Sequence, residues 1–191
     1  MSTDRKQQIL QAANQSFATF GYKATTMDHV ARAANVGKGT IYNFFKNKEQ
    51  LFQEIISNLL QEMKKQAESV IDDNKPLKEN VHLALYELLQ YRRSHQLTIQ
   101  MVKEAKEMGT PAVQEALNNV EGLITAYLRE KVEIAVERGD IRPCNPEMTA
   151  FMMFKLYTAF IIDWEERHEP LDKEDILYLF DEYVFKGLSP S

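Results

Sequence analysis

Between Thr25 and Lys48 the chain carries two short stretches of helical periodicity separated by a tight turn, a pattern that few folds accept. Val30, Ala31, Ala34, Val36, Ile41 and Phe44 are the apolar or small positions, so two short helices can each turn one small face towards the other. Ala31 and Ala34 permit close approach. Asn35 stands where the chain must turn sharply, and asparagine is among the few non-glycine residues that enter the left-handed region at low cost. Gly37 then frees the backbone ahead of the second helix. Thr25 or Thr26 can cap the first helix, and Thr25 with Asp28 has the spacing of a capping box. The stretch reads as a helix-turn-helix, with helices over about 26–33 and 37–44.

The residues ahead of the motif fit a supporting helix. Ile9, Ala12, Ala13, Phe17 and Phe20 repeat at helical spacing over about 3–20, with Gly21 as the stop, and the Phe17–Phe20 pair is expected to back the motif from behind. In a helix-turn-helix the N-terminal residues of the second helix meet base edges in the major groove. By position Lys38, Thr40 and Asn43 face outward, while Ile41, Phe44 and Phe45 face inward. Lys38 suits guanine, Asn43 suits adenine, and Thr40 can bond or touch a thymine methyl. A cap hydroxyl at Thr25 or Thr26, beside a helix N-terminus, suits phosphate. Charge divides in the same sense. Residues 1–48 hold 7 Lys or Arg against 2 acids, a balance of +5. The remainder holds 16 against 26, a balance of −10, so the net charge of −5 conceals a basic first quarter.

The run Gly37-Lys38-Gly39-Thr40-Ile41-Tyr42-Asn43-Phe44-Phe45-Lys46-Asn47-Lys48-Glu49-Gln50-Leu51-Phe52, preceded by Phe17-Ala18-Thr19-Phe20-Gly21-Tyr22-Lys23-Ala24-Thr25-Thr26, closely resembles the DNA-binding domain of the TetR family of bacterial transcriptional regulators. The resemblance covers roughly the first 55 residues in one register. It departs at Asn35, where many members have glycine, and at Gly37, where many have a serine cap; both substitutes suit the backbone roles of those positions. The resemblance implies that Tyr42, Lys46 and Lys48 lie against phosphate, that Gly39 allows close backbone approach, and that Thr25 joins them. It also implies a homodimer on double-stranded operator DNA and a small-molecule effector, with repression the commoner mode and activation the alternative.

Beyond the motif everything reads as helix. At 191 residues, with 44% hydrophobic and 27% charged residues and only 7 Gly and 6 Pro, the composition favours an ordered helical protein over a β-sandwich or a disordered tail. Leu51, Phe52, Ile55, Ile56, Leu59, Leu60 and Met63 form a stripe on a helix over 47–71, long enough to link two domains. Asp72-Asp73-Asn74-Lys75-Pro76 breaks the chain. Further helices are expected over about 77–93, 96–108 and from Pro111 to Gly139, the last with Thr110 as cap. The expected fold is all-α: a three-helix DNA-binding domain over 1–48 and a helical effector-binding and dimerisation domain over 49–191.

The helix expected over 146–168 is apolar almost all round, and the last, over 172–186, is more apolar than one core contact requires. Together they predict a two-fold dimer interface with Met152, Phe160, Trp164, Leu177, Phe180 and Val184. Five of the 8 methionines lie beyond residue 100, among aromatic residues. Met101, Tyr127, Phe151, Phe154 and Tyr157 are the candidates to line a pocket for an apolar or amphipathic effector, ordinary core packing being the alternative for each.

Other functions find little support. The group Asp163, Glu165, Glu166, His168 and Glu169 points in several directions around a helix, which disfavours a metal-dependent enzyme. His82 with Tyr86 and Glu87 is a weak proton-transfer candidate, and His95 beside Arg92 and Arg93 reads as a polar helix end. The sequence has no glycine-rich phosphate loop after a strand and no nucleophile elbow, so no enzyme and no cofactor are expected. Cys144 is the lone cysteine and reads as a bystander thiol. The polar start of the chain, and apolar runs too short to cross a bilayer, lead us to expect a cytoplasmic protein with no membrane partner.

Overall fold

The computed structural model describes residues 2–90 and 96–189, and every regular element among them is helical. Helix α1 spans Ser2–Ala24, but its backbone leaves helical geometry at Gly21 (φ 81, ψ 167), so the helix proper ends at the glycine stop and a short turn comes next. Helix α2, Met27–Ala33, is capped by Thr26, whose hydroxyl accepts from the His29 N–H at 3.1 Å. Thr25 lies one residue too early for that role, so the Thr25–Asp28 capping box does not form. Asn35 takes φ 52 in the turn and is the one non-glycine residue with positive φ among those described. The Val36 N–H then bonds back to the Ala31 carbonyl at 2.9 Å. Helix α3, Lys38–Phe44, starts at Gly37 without a side-chain cap and ends as Phe45 turns extended.

Helix α4, Lys48–Val70, begins with Asn47 as its cap, the Asn47 Oδ1 accepting from the Gln50 N–H at 2.8 Å. Helix α5 covers Leu77–Gln90. The expected continuation to residue 93, and His95 with Arg92 and Arg93, lie outside the described residues. Helix α6 is Gln96–Met108 and α7 is Pro111–Arg138. At the start of α7 it is the Thr110 carbonyl that receives the Val113 and Gln114 N–H groups, and the Thr110 hydroxyl makes no hydrogen bond among the described residues. Helix α8, Pro146–Thr158, is capped by Asn145; it then widens into a π turn over Ala159–Asp163 and tightens into a 3₁₀ turn over Trp164–Glu166. Helix α9, Lys173–Phe180, is capped by Asp172 and likewise passes into a π turn, Asp181–Phe185, before Lys186–Leu188.

The chain forms two compact units. One takes residues up to Glu62 together with α6 and the chain to Asn119; the other takes Met63 through α5 and everything from Val120 onward. In the first, α1 to α4 close on one core in which Ile9, Phe17, Val30, Ile41, Phe45, Leu51 and Phe52 are at most 1% exposed. The Phe17 and Phe52 rings meet edge to face at 5.2 Å, and Tyr22 lies 4.7 Å from Phe52. Phe20 lies outside this core: it is 53% exposed, its ring 5.0 Å from that of His29 on α2. Helix α6 packs along α1.

In the second unit Leu77, Val81, Leu85, Val132, Ala150, Met153 and Ile176 are buried with Phe180, Val184 and Phe185. Helix α5 meets the C-terminal helix through Asp181, which pairs with His82 at 2.7 Å and Lys78 at 3.0 Å. No helix among the described residues is long and apolar enough to cross a membrane.

The turn at Asn35 gives a direct stability test. Asn35→Ala places a Cβ-bearing, non-hydrogen-bonding residue at positive φ and is expected to lower the unfolding free energy by about 1 kcal/mol. Asn35→Gly should stay within about 0.5 kcal/mol of the parent. Urea titration distinguishes them, and equal stability of the two variants would contradict the assignment.

Candidate nucleic-acid interface

Helix α3 is anchored by Ile41 and Phe45, both fully buried, with Phe44 half-buried beside them. That anchorage leaves the other side of a seven-residue helix to solvent. Lys38, Gly39, Tyr42 and Asn43 are exposed and Thr40 is half-buried. A Cβ at Gly39 would meet nothing within 4 Å, so a flat partner can approach the backbone closely there. Lys46 is exposed just beyond the helix, its N–H held by the Gln50 side chain at 2.8 Å. Thr26 is exposed at the start of α2. The structure therefore brings Thr26, Lys38, Gly39, Thr40, Tyr42, Asn43 and Lys46 to the surface of one helix-turn-helix.

Two of the sequence candidates are committed elsewhere. Thr25 is fully buried, its hydroxyl donating to the Gly21 carbonyl at 2.7 Å and reaching the Ser16 carbonyl at 3.2 Å. Lys48 is half-buried, and its ammonium donates to the carbonyls of Tyr22 at 2.7 Å and Thr25 at 2.9 Å while lying 4.2 Å from the Tyr22 ring centroid. Burial pulls the Lys48 ammonium below the usual lysine range, a pull that Glu104 partly opposes. Burial pushes the Tyr22 hydroxyl up, with Glu49 and Glu104 adding to it. These groups brace the motif from inside.

Two acids take roles that the sequence analysis does not give them. Asp28, on α2, bonds the Lys38 ammonium at 2.9 Å, so the foremost cation of α3 is paired in the free protein, and its pKa is raised by that bond. Ten residues separate the partners, too far for helical spacing to reveal them. Glu104, on α6, is buried and takes the backbone N–H groups of Tyr22 and Lys23. Its signal was legible: Leu97, Met101 and Glu104 fall at i, i+4 and i+7, so an acid sits in an apolar stripe.

The effector and dimer candidates distribute differently from expectation. Met101 is buried in the first unit, whereas Tyr127, Phe151, Phe154 and Tyr157 belong to the second. Tyr127 is half-buried with the Lys64 and Lys131 ammoniums 5.7 and 5.6 Å from its ring centroid, and burial raises its hydroxyl pKa. Phe151 is half-exposed, Phe154 and Tyr157 half-buried, and Lys155 lies over the rings of both Phe151 and Phe154. An open groove of about 680 Å³ runs between α7 and α8, bordered by Gly122, Thr125, Ala126, Met148, Phe151 and Met152. Of the five expected lining residues only Phe151 reaches it.

Phe180 and Val184 are each 1% exposed inside their own unit, which corrects their assignment to a surface between protomers. Met152 and Trp164 are exposed, and Phe160 and Leu177 half-buried. The C-terminal helix instead shows Tyr178 and Tyr183 to solvent, at 61% and 70%. The acidic end of α8 has no metal-site geometry: His168 stacks on Trp164 at 3.9 Å, and no group of three metal-ligating side chains occurs among the described residues.

Comparison with known proteins agrees with this geometry. The family model for bacterial regulatory proteins of the tetR family matches residues 9–55. An HTH-type transcriptional regulator of Bacillus subtilis, YhgD, described as uncharacterised, is 56% identical over 189 residues, covering 99% of either chain. The HTH-type transcriptional repressor KstR2 of Mycolicibacterium smegmatis is 23% identical over 190 residues, 98% of this chain and 92% of its own. In fold, the fatty acid degradation regulator FadR from Bacillus halodurans aligns with a TM-score of 0.75 at 20% identity, over 92% of this chain and 93% of its own. With α3 anchored by Ile41 and Phe45 and similarity along nearly its whole length to an HTH-type regulator, the chain belongs to the TetR family of bacterial transcriptional regulators, which are DNA-binding proteins rather than enzymes.

Proposed function

We propose that the chain is a repressor that binds a pseudo-palindromic operator as a homodimer and leaves it when a small apolar or amphipathic effector binds. The observation that carries the reading is α3 itself, anchored by Ile41 with Lys38, Gly39, Tyr42 and Asn43 outward. In this reading Lys38, Thr40 and Asn43 meet base edges, while Thr26, Tyr42 and Lys46 meet phosphate. Residues 1–48 carry the DNA surface, and residues 49–191 carry the effector and dimer surfaces. Repression results where the operator overlaps a promoter and the protein competes with polymerase; the repressor KstR2, similar along nearly the whole chain, supports that mode.

The dimer would form through α8 and α9, with Met152, Phe160, Trp164 and Leu177 joined by Tyr178 and Tyr183. Exposed apolar side chains on two successive helices support it, since a monomer would leave them in water. The effector would bind the second unit beside Phe151, in the groove between α7 and α8. Met152 borders that groove and also belongs to the proposed interface, so an occupant there can alter how two protomers meet and hence the spacing of their reading helices. The likeness to a fatty acid degradation regulator supports a long-chain amphipathic compound.

Met152→Glu buries a charge in the proposed interface. Sedimentation velocity should show a folded monomer, with operator affinity lower by about a hundredfold through loss of bivalent binding. A variant that stays dimeric would remove α8 from the interface. The Asp28–Lys38 pair gives a second test. Asp28→Asn removes the anion that neutralises Lys38 and so adds one uncompensated cation to the DNA-facing surface, so affinity for random duplex should rise roughly threefold, with the logarithmic salt slope steeper by about one. An unchanged slope would mean that the pair is not in competition with DNA.

A further inference from the structure

The connector between α1 and α2 is held from two sides by groups distant in sequence. Glu104 on α6 is only 3% exposed; its Oε2 accepts the Tyr22 N–H at 2.6 Å and its Oε1 accepts the Lys23 N–H at 3.0 Å. From α4, the Lys48 ammonium takes the carbonyls of Tyr22 and Thr25. Tyr22 is thus fixed at both its N–H and its carbonyl by opposite charges. Gly21 belongs to the same device: with φ +81 it makes the bend, and a Cβ there would lie 2.5 Å from the Glu104 Oε2. Only glycine leaves room for the carboxylate to reach the next two N–H groups. Thr25 closes the bend through its hydroxyl on Gly21, and Thr26 immediately afterwards caps α2.

A buried carboxylate is costly unless its oxygens are satisfied, and this one is satisfied by two N–H groups of the segment that launches the DNA-reading helices. We propose that Glu104 is a positioning residue for DNA recognition: by locking residues 22 and 23 from α6 it fixes the aim of α2 and, through the Asn35 turn, of α3. The inference rests on α3 reading DNA. Glu104 itself touches no DNA. Its action is on the fraction of molecules whose reading helices are correctly placed, and apparent affinity falls in proportion to that fraction.

The test uses the full chain carrying Glu104→Ala, which removes both bonds, or Glu104→Gln, which keeps the shape and one acceptor oxygen. The probes are a duplex selected by the parent protein and a random duplex of equal length. Binding is measured well below each variant's melting temperature, alongside amide hydrogen exchange at Tyr22 and Lys23. Expected is faster exchange at those two amides, largest in the alanine variant, with affinity for the selected duplex lower by about tenfold in that variant. The loss should be smaller for glutamine, and the salt slope unchanged because the phosphate contacts are the same. Faster exchange at Tyr22 and Lys23 with affinity within twofold of the parent would overturn the proposal and leave Glu104 a purely stabilising residue. If the alanine variant does not fold, the glutamine variant carries the same comparison alone. Failure of the parent protein to bind any duplex would count against the DNA reading instead, so the two failures are told apart.

Discussion

The bend at Gly21 is the constraint on which the first unit depends. A helix carrying Ile9, Ala13 and Phe17 into the core has to stop and redirect the chain within five residues so that α2 can start at Met27. Positive φ at one glycine does the redirecting, and backbone groups of the bend are taken by Thr25, Lys48 and Glu104. Those three residues come from the connector itself, the start of α4 and the middle of α6. The backbone of the bend is therefore held by groups up to 82 residues away in sequence.

The core completes the work of the bend. Phe17, Tyr22 and Phe52 meet as one aromatic cluster, and Ile41 and Phe45 are fully buried, so α3 is pinned by its inner face while its outer face keeps Lys38, Tyr42 and Asn43 in solvent. A seven-residue helix has little intrinsic stability, and its persistence comes from this packing and from the Asn35 turn. Rigidity at the back and polarity at the front are the requirements of a major-groove reader. The basic balance of the first 48 residues adds the long-range attraction, and the Asp28–Lys38 pair tempers it locally.

Local chemistry was legible in the sequence. Asn35 in the left-handed region, Gly21 as a stop, Thr26 as a cap and the inward Ile41 all arise from interactions within a few residues, and the structure has each of them. Nonlocal contacts were hidden. Lys48 reads as a phosphate contact until carbonyls 23 and 26 residues earlier are seen to occupy it. Phe20 looks like a core residue because periodicity ranks positions along α1 and cannot show which of them another element covers. Phe180 and Val184 illustrate a different limit. An apolar helix offers two faces, and Phe180 and Val184 fall at i+4 and i+8 from the buried Ile176, so they belong to the inner face, while composition alone does not say which face meets the helix's own unit. The groove is half visible in the sequence: Gly122, Thr125 and Ala126, which border it, are small residues at helical spacing on α7, whereas methionines and aromatics, the usual signs of an apolar pocket, lie elsewhere as often as here.

The central claim is that two copies of α3, held by two-fold symmetry, read sequence in adjacent major grooves. Selection from random duplex DNA by the purified full-length protein, and then salt titration on the recovered sequence, tests it most directly. An inverted repeat with half-sites about 10 base pairs, or a multiple of that, apart should emerge, with affinity falling steeply as salt rises. Recovery of a single unrepeated half-site, or of no consensus from protein refolded free of bound small molecules, would contradict it.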